Sequence, residues 1–403
     1  METDLFQAAL NLQSPWKIQN VNFSSDSRLL EIWIDFDPGS EFDCPKCSHH
    51  GCKGYDTEDK TWRHLNFFQY RCDLHCRVPR VTCPNCGVIL VDIPWARKRS
   101  GFSLLMESLI LIMAMDMPIS KVASLLNEDD GRIWRVVDHY VSKAREVENY
   151  SHIRVIGFDE TSSRRGHNYI TIAVDLESSK VIFATEGKDH TTVDQFVPDF
   201  IAHSGKPENI TDICSDLSKA YIKGVQENFP NAVHTYDKFH IMKLVGEAVD
   251  EVRRVEQRTD PILRKTRYLW FKSRTSLSQS EEIRFDELSK MNLKTARAYR
   301  MKEALKVIWD CADIHEASEI FKKWYFWSTH SKLEPMIKLA KALKRHESGI
   351  LNNVKSRISN GIVEAINGKI QMLKRSGRGY PNINNFITMI YLRCGKLSLN
   401  LPT

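Results

Sequence analysis

Two Cys-Pro-x-Cys pairs, Cys44-Pro45-Lys46-Cys47 and Cys83-Pro84-Asn85-Cys86, stand about 35 residues apart and restrict the fold of the first hundred residues more than any other feature. Each pair offers two thiolates in a tight turn, and two such turns complete the four-sulfur tetrahedron that structural zinc prefers. For the turns to meet, the chain between them must double back, and Tyr70 to Thr82 is rich enough in strand formers to make the hairpin of a zinc ribbon. Seven cysteines (44, 47, 52, 72, 76, 83 and 86) crowd into this region of a 403-residue chain whose first residues, with Glu2 and Asp4, lack the basic start of a signal peptide. Metal binding therefore explains them better than a disulfide framework. Cys72 and Cys76, with three residues between them inside a strand pattern, read as buried reduced thiols, while Cys52, His49 and His50 remain substitute ligands.

Ahead of the first pair, residues 1–43 are acidic, and Leu30, Ile32, Ile34 and Phe36 alternate as a half-buried strand paired with Ile18 to Phe23. Behind the second, Pro94, Trp95 and the basic triplet Arg97-Lys98-Arg99 read as a linker with a solvated charge run. Phe102 to Met115 is too short and too patterned for a membrane helix and contains Glu107, so it reads as a buried helix. After Pro118 a second helix runs from Ile119 to Leu126, and a turn at Asn127 to Gly131 leads into a third. The last two, with Arg132 and Arg135 near the start of the second of them, fit a DNA-reading helix-turn-helix. A plain three-helix packing unit fits the same pattern.

A new pattern begins near Ser151. Ile153–Phe158, Asn168–Asp175 and Lys180–Ala184 read as an antiparallel meander of three strands, followed by helix 193–201, strand 210–214, helix 220–228 and strand 232–236. That order is the order of an α/β, ribonuclease H-like (retroviral-integrase-like) core. Asp159 falls at the end of the first strand and Asp216 at the end of the fourth, neighbours at the centre of such a sheet. A third acid, Glu364, lies on a helix marked by Ile362, Val363, Ile366 and Ile370. Strand-end aspartates facing a helical carboxylate predict a divalent-cation site.

From His240 to Ser348 the pattern is helical and charged, an insertion whose Trp270, Trp309, Trp324 and Trp327 fit core positions better than base-stacking platforms. The net charge of +6 is informative only where it is clustered. Lys341, Lys344, Arg345, Lys355, Arg357, Lys369, Lys374, Arg375 and Arg378 gather against only Glu347 and Glu364 between Lys341 and Tyr380. The sensible partner of such a surface is a phosphate backbone.

The ordered set Gly157-Phe158-Asp159-Glu160, Ser215-Asp216-Leu217-Ser218-Lys219-Ala220-Tyr221, Tyr236-Asp237-Lys238-Phe239-His240 with Val249-Asp250-Glu251-Val252-Arg253-Arg254, and Ser359-Asn360-Gly361-Ile362-Val363-Glu364-Ala365-Ile366-Asn367-Gly368-Lys369-Ile370 resembles the bacterial insertion-sequence transposases of the ISL-three family. The paired cysteine knuckles and the helix-turn-helix resemble that family's N-terminal half, so the likeness covers nearly the whole chain. It implies a DNA transposase of the Asp-Asp-Glu (DDE) type, with its triad on Asp159, Asp216 and Glu364. Two Mg²⁺ (or Mn²⁺) ions would serve phosphodiester cleavage and strand transfer, and Zn²⁺ would sit on Cys44, Cys47, Cys83 and Cys86. Asp159 takes the bridging position between the ions. Glu160 and Asp237 are supporting candidates, with Lys219, His240, Asn360 and Asn367 as DNA or orienting contacts. Expected DNA contacts are Arg132, Arg135, Lys369, Lys374, Arg375 and Arg378. The partners are transposon ends and target DNA, met by a homodimer or higher oligomer in the bacterial cytoplasm, at the nucleoid when bound.

These expectations divide the chain into N-terminal strands and zinc ribbon (1–96), helix-turn-helix (97–150), first part of the core (151–240), helical insertion (241–348) and last part of the core (349–403). A DNA-binding regulator derived from a transposase, with an inactive core, is the alternative from another class. Intact acids argue against it, since a non-catalytic descendant has no physical reason to keep converging carboxylates. A junction resolvase of the same fold would need neither the insertion nor the reading half.

Overall fold

The computed structural model describes residues 2–164, 166, 168–272, 274–356 and 361–401. The chain divides into two units, residues 1–145 with 398–403 and residues 146–397.

In the first unit, helix α1 (Glu2–Ala9) leads into β1 (Trp16–Ser24) and β2 (Leu29–Phe36), the antiparallel pair that the alternation predicts. Leu30, Ile32 and Ile34 are buried because they share one face of β2. Short β3 (Glu41–Phe42), the long hairpin of β4 (Cys52–Phe67) and β5 (Tyr70–Cys83), and β6 (Gly87–Leu90) complete a sheet of order β1-β2-β5-β4-β3, with β6 on β5. Cys72, Leu74, Cys76 and Val78 alternate inward along β5. The two knuckles are the turns between β3 and β4 and between β5 and β6.

Three helices follow in the same unit. Ser103 caps α2 (Leu104–Asp116) by accepting the Met106 N–H, and α3 (Ile119–Leu126) ends on Asn127 in the left-handed conformation. Next comes α4 (Asp130–Glu146), which buries Ile133, Val136, Val137 and Val141. Glu107 of α2 is fully buried and receives Arg97 Nε (2.9 Å), Ser100 Oγ (2.6 Å) and Tyr140 OH (2.8 Å). The triplet at 97–99 is therefore not one solvated run. Arg97 neutralises the buried Glu107, and Lys98 pairs with Asp92.

The second unit begins with the expected meander, β7 (Val155–Ser162), β8 (Tyr169–Asp175) and β9 (Lys180–Glu186), continued by α5 (Thr191–Ala202), β10 (Asp212–Ser215), α6 (Lys219–Asn228), β11 (Val233–Tyr236) and α7 (Lys238–Glu256). The sheet order is β11-β10-β7-β8-β9, with β10 parallel to both of its neighbours. One boundary differs from expectation. Asp159 does not end the first strand, because residues 159–162 keep their pairing with β8 after the last β10 partner, Gly157.

Phe158 packs with Phe196 and Phe200 of α5 and Tyr221 of α6. Between α7 and Gly361 the chain forms α8 (Arg267–Phe271), α9 (Gln279–Lys290), α10 (Lys294–Lys306), α11 (Ile314–Thr329), α12 (Glu334–Lys344) and α13 (Glu347–Ser356). Trp270 and Trp324 are core residues there, Trp309 packs against that core, and Trp327 is 38% exposed. Finally α14 (Gly361–Ser376) lies against β7 and α15 (Ile383–Cys394) against β9. Among the described residues, no helix is long and apolar enough to cross a membrane.

Candidate active site and metal centres

Strand register assembles the acidic site. Cys214 of β10 pairs with Gly157 of β7 on one side and Thr235 of β11 on the other. Counting two residues onward from that row gives Asp159, Asp216 and Asp237, so three neighbouring parallel strands each deliver an aspartate at the same level of one sheet edge. The carboxyl edge of parallel strands is where α/β sheets bind ligands. Asp216 and Asp237 are buried, and each helps start the following helix: Ser218 N–H donates to Asp216 Oδ1 (2.9 Å), and Phe239 N–H and His240 N–H donate to Asp237.

Glu364 stands on the first turn of α14, which crosses β7 on the face carrying Gly157 and Asp159. A ladder of polar contacts fixes that crossing. Asn367 Nδ2 donates to Asp159 Oδ2 (2.8 Å), Gln371 Nε2 to Thr161 Oγ1 (2.5 Å), and Lys374 Nζ to the Ser162 carbonyl (2.6 Å). These are positions i, i+4 and i+7 of one helix face. The second Asp159 oxygen accepts the Glu160 N–H at 2.8 Å.

Burial, and after it the charge of Asp216, pushes the Asp159 carboxyl up to about 6. Burial also raises Asp237 and Glu364, and Glu364 feels Asp237. Glu160, on the opposite face of β7, is raised by burial and by Asp216. His240 faces the whole set, with Nε2 3.6 Å from Asp216 Oδ2 and an attraction to Asp159, Asp237 and Glu364. Desolvated carboxylates that raise one another are relieved by a hard divalent cation, and carboxylate oxygens are the donors such cations take. The acids do not close on one point. Among the described residues, only the four knuckle cysteines form a group of three or more ligand atoms all within 4.8 Å of one another.

That four-sulfur group is Cys44, Cys47, Cys83 and Cys86. The Cys47 and Cys83 sulfurs are 3.5 Å apart, near the separation of about 3.8 Å that a zinc–sulfur tetrahedron requires. The Lys46 backbone N–H holds the Cys44 thiol down at about 7. Cys52, which follows the Lys53–Thr82 pair in register and so neighbours Cys83, stays outside the group, its thiol raised by burial. His49 is exposed, and His50 pairs with Asp43 at 2.9 Å. Burial lifts Cys72 and Cys76 to about 12, as expected of core thiols.

The expected DNA contacts fall into two kinds. Arg135, Lys369, Arg375 and Arg378 are exposed. Arg132 instead bonds Glu128 (2.5 Å) and the Gly101 carbonyl (3.0 Å) and lies over Phe102, and Lys374 is held by Ser162. Arg357, Ser359 and Asn360, and the side chain of Lys355, lie outside the described residues. Gln371 is the site residue that the sequence reading missed. Its only signal is its place one turn beyond Asn367.

A pair of helices joined by a tight turn and, in the other unit, an acid-lined sheet edge fit a protein that binds DNA and acts on it. Comparison with known proteins bears this out. The profile of a family described as "Transposase" matches residues 156–390, and that of the "Helix-turn-helix domain of transposase family ISL3" matches residues 91–141. The chain belongs to the ISL3 transposase family. The transposase for insertion sequence element IS1557 of Mycobacterium tuberculosis is 26% identical over 99% of this chain and 97% of its own. That for IS1001 of Bordetella parapertussis is 25% identical over 86% of this chain and 87% of its own.

Proposed function

We propose that the chain cuts the ends of an insertion sequence and joins them to target DNA, using Asp159, Asp216 and Glu364 on a ribonuclease H-like core. The observation that carries this is the level row of Asp159, Asp216 and Asp237, with Glu364 on the helix tied to the same strand. Asp159, Asp216 and Glu364 would hold a pair of Mg²⁺ or Mn²⁺ ions. When bound, such a pair stabilises charge on the attacking and leaving oxygens of an in-line displacement.

The chain's own groups align the reactants. In the first step a water oxygen bonds to the scissile phosphorus, the bond to the 3′ oxygen breaks, and a proton released by the water balances the one gained by that oxygen. In the second step the freed 3′-hydroxyl attacks a target phosphodiester, displacing another 3′ oxygen, which takes up the proton. Exposed Arg135, Lys369, Arg375 and Arg378 would hold phosphates. Zinc on the four cysteines would brace the ribbon beside the helix-turn-helix. Joining two ends in one event calls for at least two copies of the chain on DNA.

The test uses Asp159→Asn, Asp216→Asn, Glu364→Gln and Asp237→Asn in the full chain, with duplexes carrying the element's ends. The three triad changes should leave DNA binding intact, lower nicking by orders of magnitude and combine non-additively. Asn caps a helix about as well as Asp, so loss of nicking without loss of stability in Asp237→Asn would add Asp237 to the set. Nicking at the parental rate by Asp159→Asn would overturn the catalytic reading in favour of a regulator.

A further inference from the structure

Asn367 lies three residues beyond Glu364 on α14, and its amide is held in one orientation. Nδ2 donates to Asp159 Oδ2 at 2.8 Å. The reverse orientation would set an amide oxygen, which can only accept, against a carboxylate oxygen, which can only accept. Oδ1 is therefore the free end. It is inaccessible to solvent and receives no hydrogen bond from the protein. The amide therefore acts on the acids through Nδ2 alone. Asp159 shows the matching arrangement: its two oxygens take one N–H each, from Glu160 and Asn367, and each keeps a lone pair for a further bond.

We propose that Asn367 is a positioning residue of the reaction: Nδ2 fixes the Asp159 carboxylate in the orientation in which its remaining lone pairs would meet a divalent cation. A neutral amide suits this place, because it holds the carboxylate without adding a charge to Asp159, Asp216, Asp237 and Glu364. This inference rests on the acid-triad reading.

The experiment compares the parent, Asn367→Ala, Gln371→Ala and Asp159→Asn in the full chain. Mn²⁺ affinity is read from the electron paramagnetic resonance signal of free Mn²⁺ without DNA. Asn367→Ala should weaken binding roughly ten- to a hundredfold, as removal of a partner behind a metal ligand does. Gln371→Ala, which removes a neighbouring helix–strand bond without touching Asp159, should weaken it less. Equal losses in the two would assign the effect to docking of α14 and overturn the inference. Unchanged affinity in Asn367→Ala alone would overturn it while leaving the triad reading standing, whereas unchanged affinity in Asp159→Asn as well would remove both.

Discussion

Gly157 of β7 lies so close to Val363 of α14 that a Cβ on the glycine would stand 2.6 Å from Val363 Cγ2, and 2.9 Å from Leu176 Cδ2. The strand bearing Asp159 and the helix bearing Glu364 thus meet at a distance that only glycine permits. Gly157→Ala should cost about 1–3 kcal/mol through overpacking. Because the clash acts on α14, the Asn367–Asp159 bond should be strained and nicking should fall by more than the drop in folded protein explains. Thermal unfolding and single-turnover nicking, measured on one preparation, check this. A parental rate would mean that the helix yields without moving Glu364.

Asp159 gives the pH dependence. Its carboxyl is raised from 3.8 to about 6 in the fold, so with rising pH the unfolded chain ionises first. The folded state is then progressively disfavoured from about pH 4 to about pH 6 and carries the full penalty above. The penalty at pH 7 without divalent ions is at most about 3 kcal/mol. Asp159→Asn should therefore melt higher than the parent at pH 7 in chelator, and the gap should close as pH falls through 6 toward 4. Added Mn²⁺ should stabilise the parent selectively and reverse the order. A melting gap that does not vary between pH 4 and pH 7 would contradict the burial of this carboxyl.

The strands, most of the helices and the positions of the acids were legible because apolar runs and the acids that follow them are local. The four-cysteine cluster was legible because the spacing within each pair is a local geometric device. Register is not local. Asp237 follows Tyr236 as Asp216 follows Ser215, but only the shared pairing of Cys214 with Gly157 and Thr235 places it level with Asp159. Asp159 itself was placed at a strand end, because the polar run from Asp159 to Ser163 hides an extension made by pairing with β8. Charge counting likewise overstated the free cations. Arg97, Arg132 and Lys374 each look solvated in the sequence, and each is taken by a partner distant or buried in the fold.

The four-cysteine site should behave as a structural zinc centre, since its sulfurs already lie near tetrahedral separations. Cys83→Ser should lower zinc content and loosen the turns flanking β4 and β5, weakening end-specific DNA binding while residues 146–397 keep their fold. Cys76→Ser, at a buried core thiol outside the metal group, should retain zinc. Metal analysis of the purified proteins decides this. A parent without zinc, or equal zinc in Cys83→Ser, would contradict the assignment.

Lys374 and Arg375 are sequence neighbours with different surroundings, and that difference gives separable effects. Lys374 turns its Nζ into the Ser162 carbonyl at 2.6 Å, and burial followed by the charge of Arg375 holds its ammonium below the usual range. Arg375 is exposed. Removing one cation that neutralises a phosphate should flatten the plot of log affinity against log salt by about 0.9. Arg375→Ala should therefore weaken binding to any duplex and lower the slope by about that amount, with nicking restored at saturating DNA. Lys374→Ala should leave the slope nearly unchanged and lower nicking even at saturating DNA, because the last rung of the ladder holding α14 to β7 is gone. A slope change for Lys374→Ala equal to that for Arg375→Ala would show that the Ser162 bond gives way to phosphate, moving Lys374 from the scaffold of the site to its DNA surface.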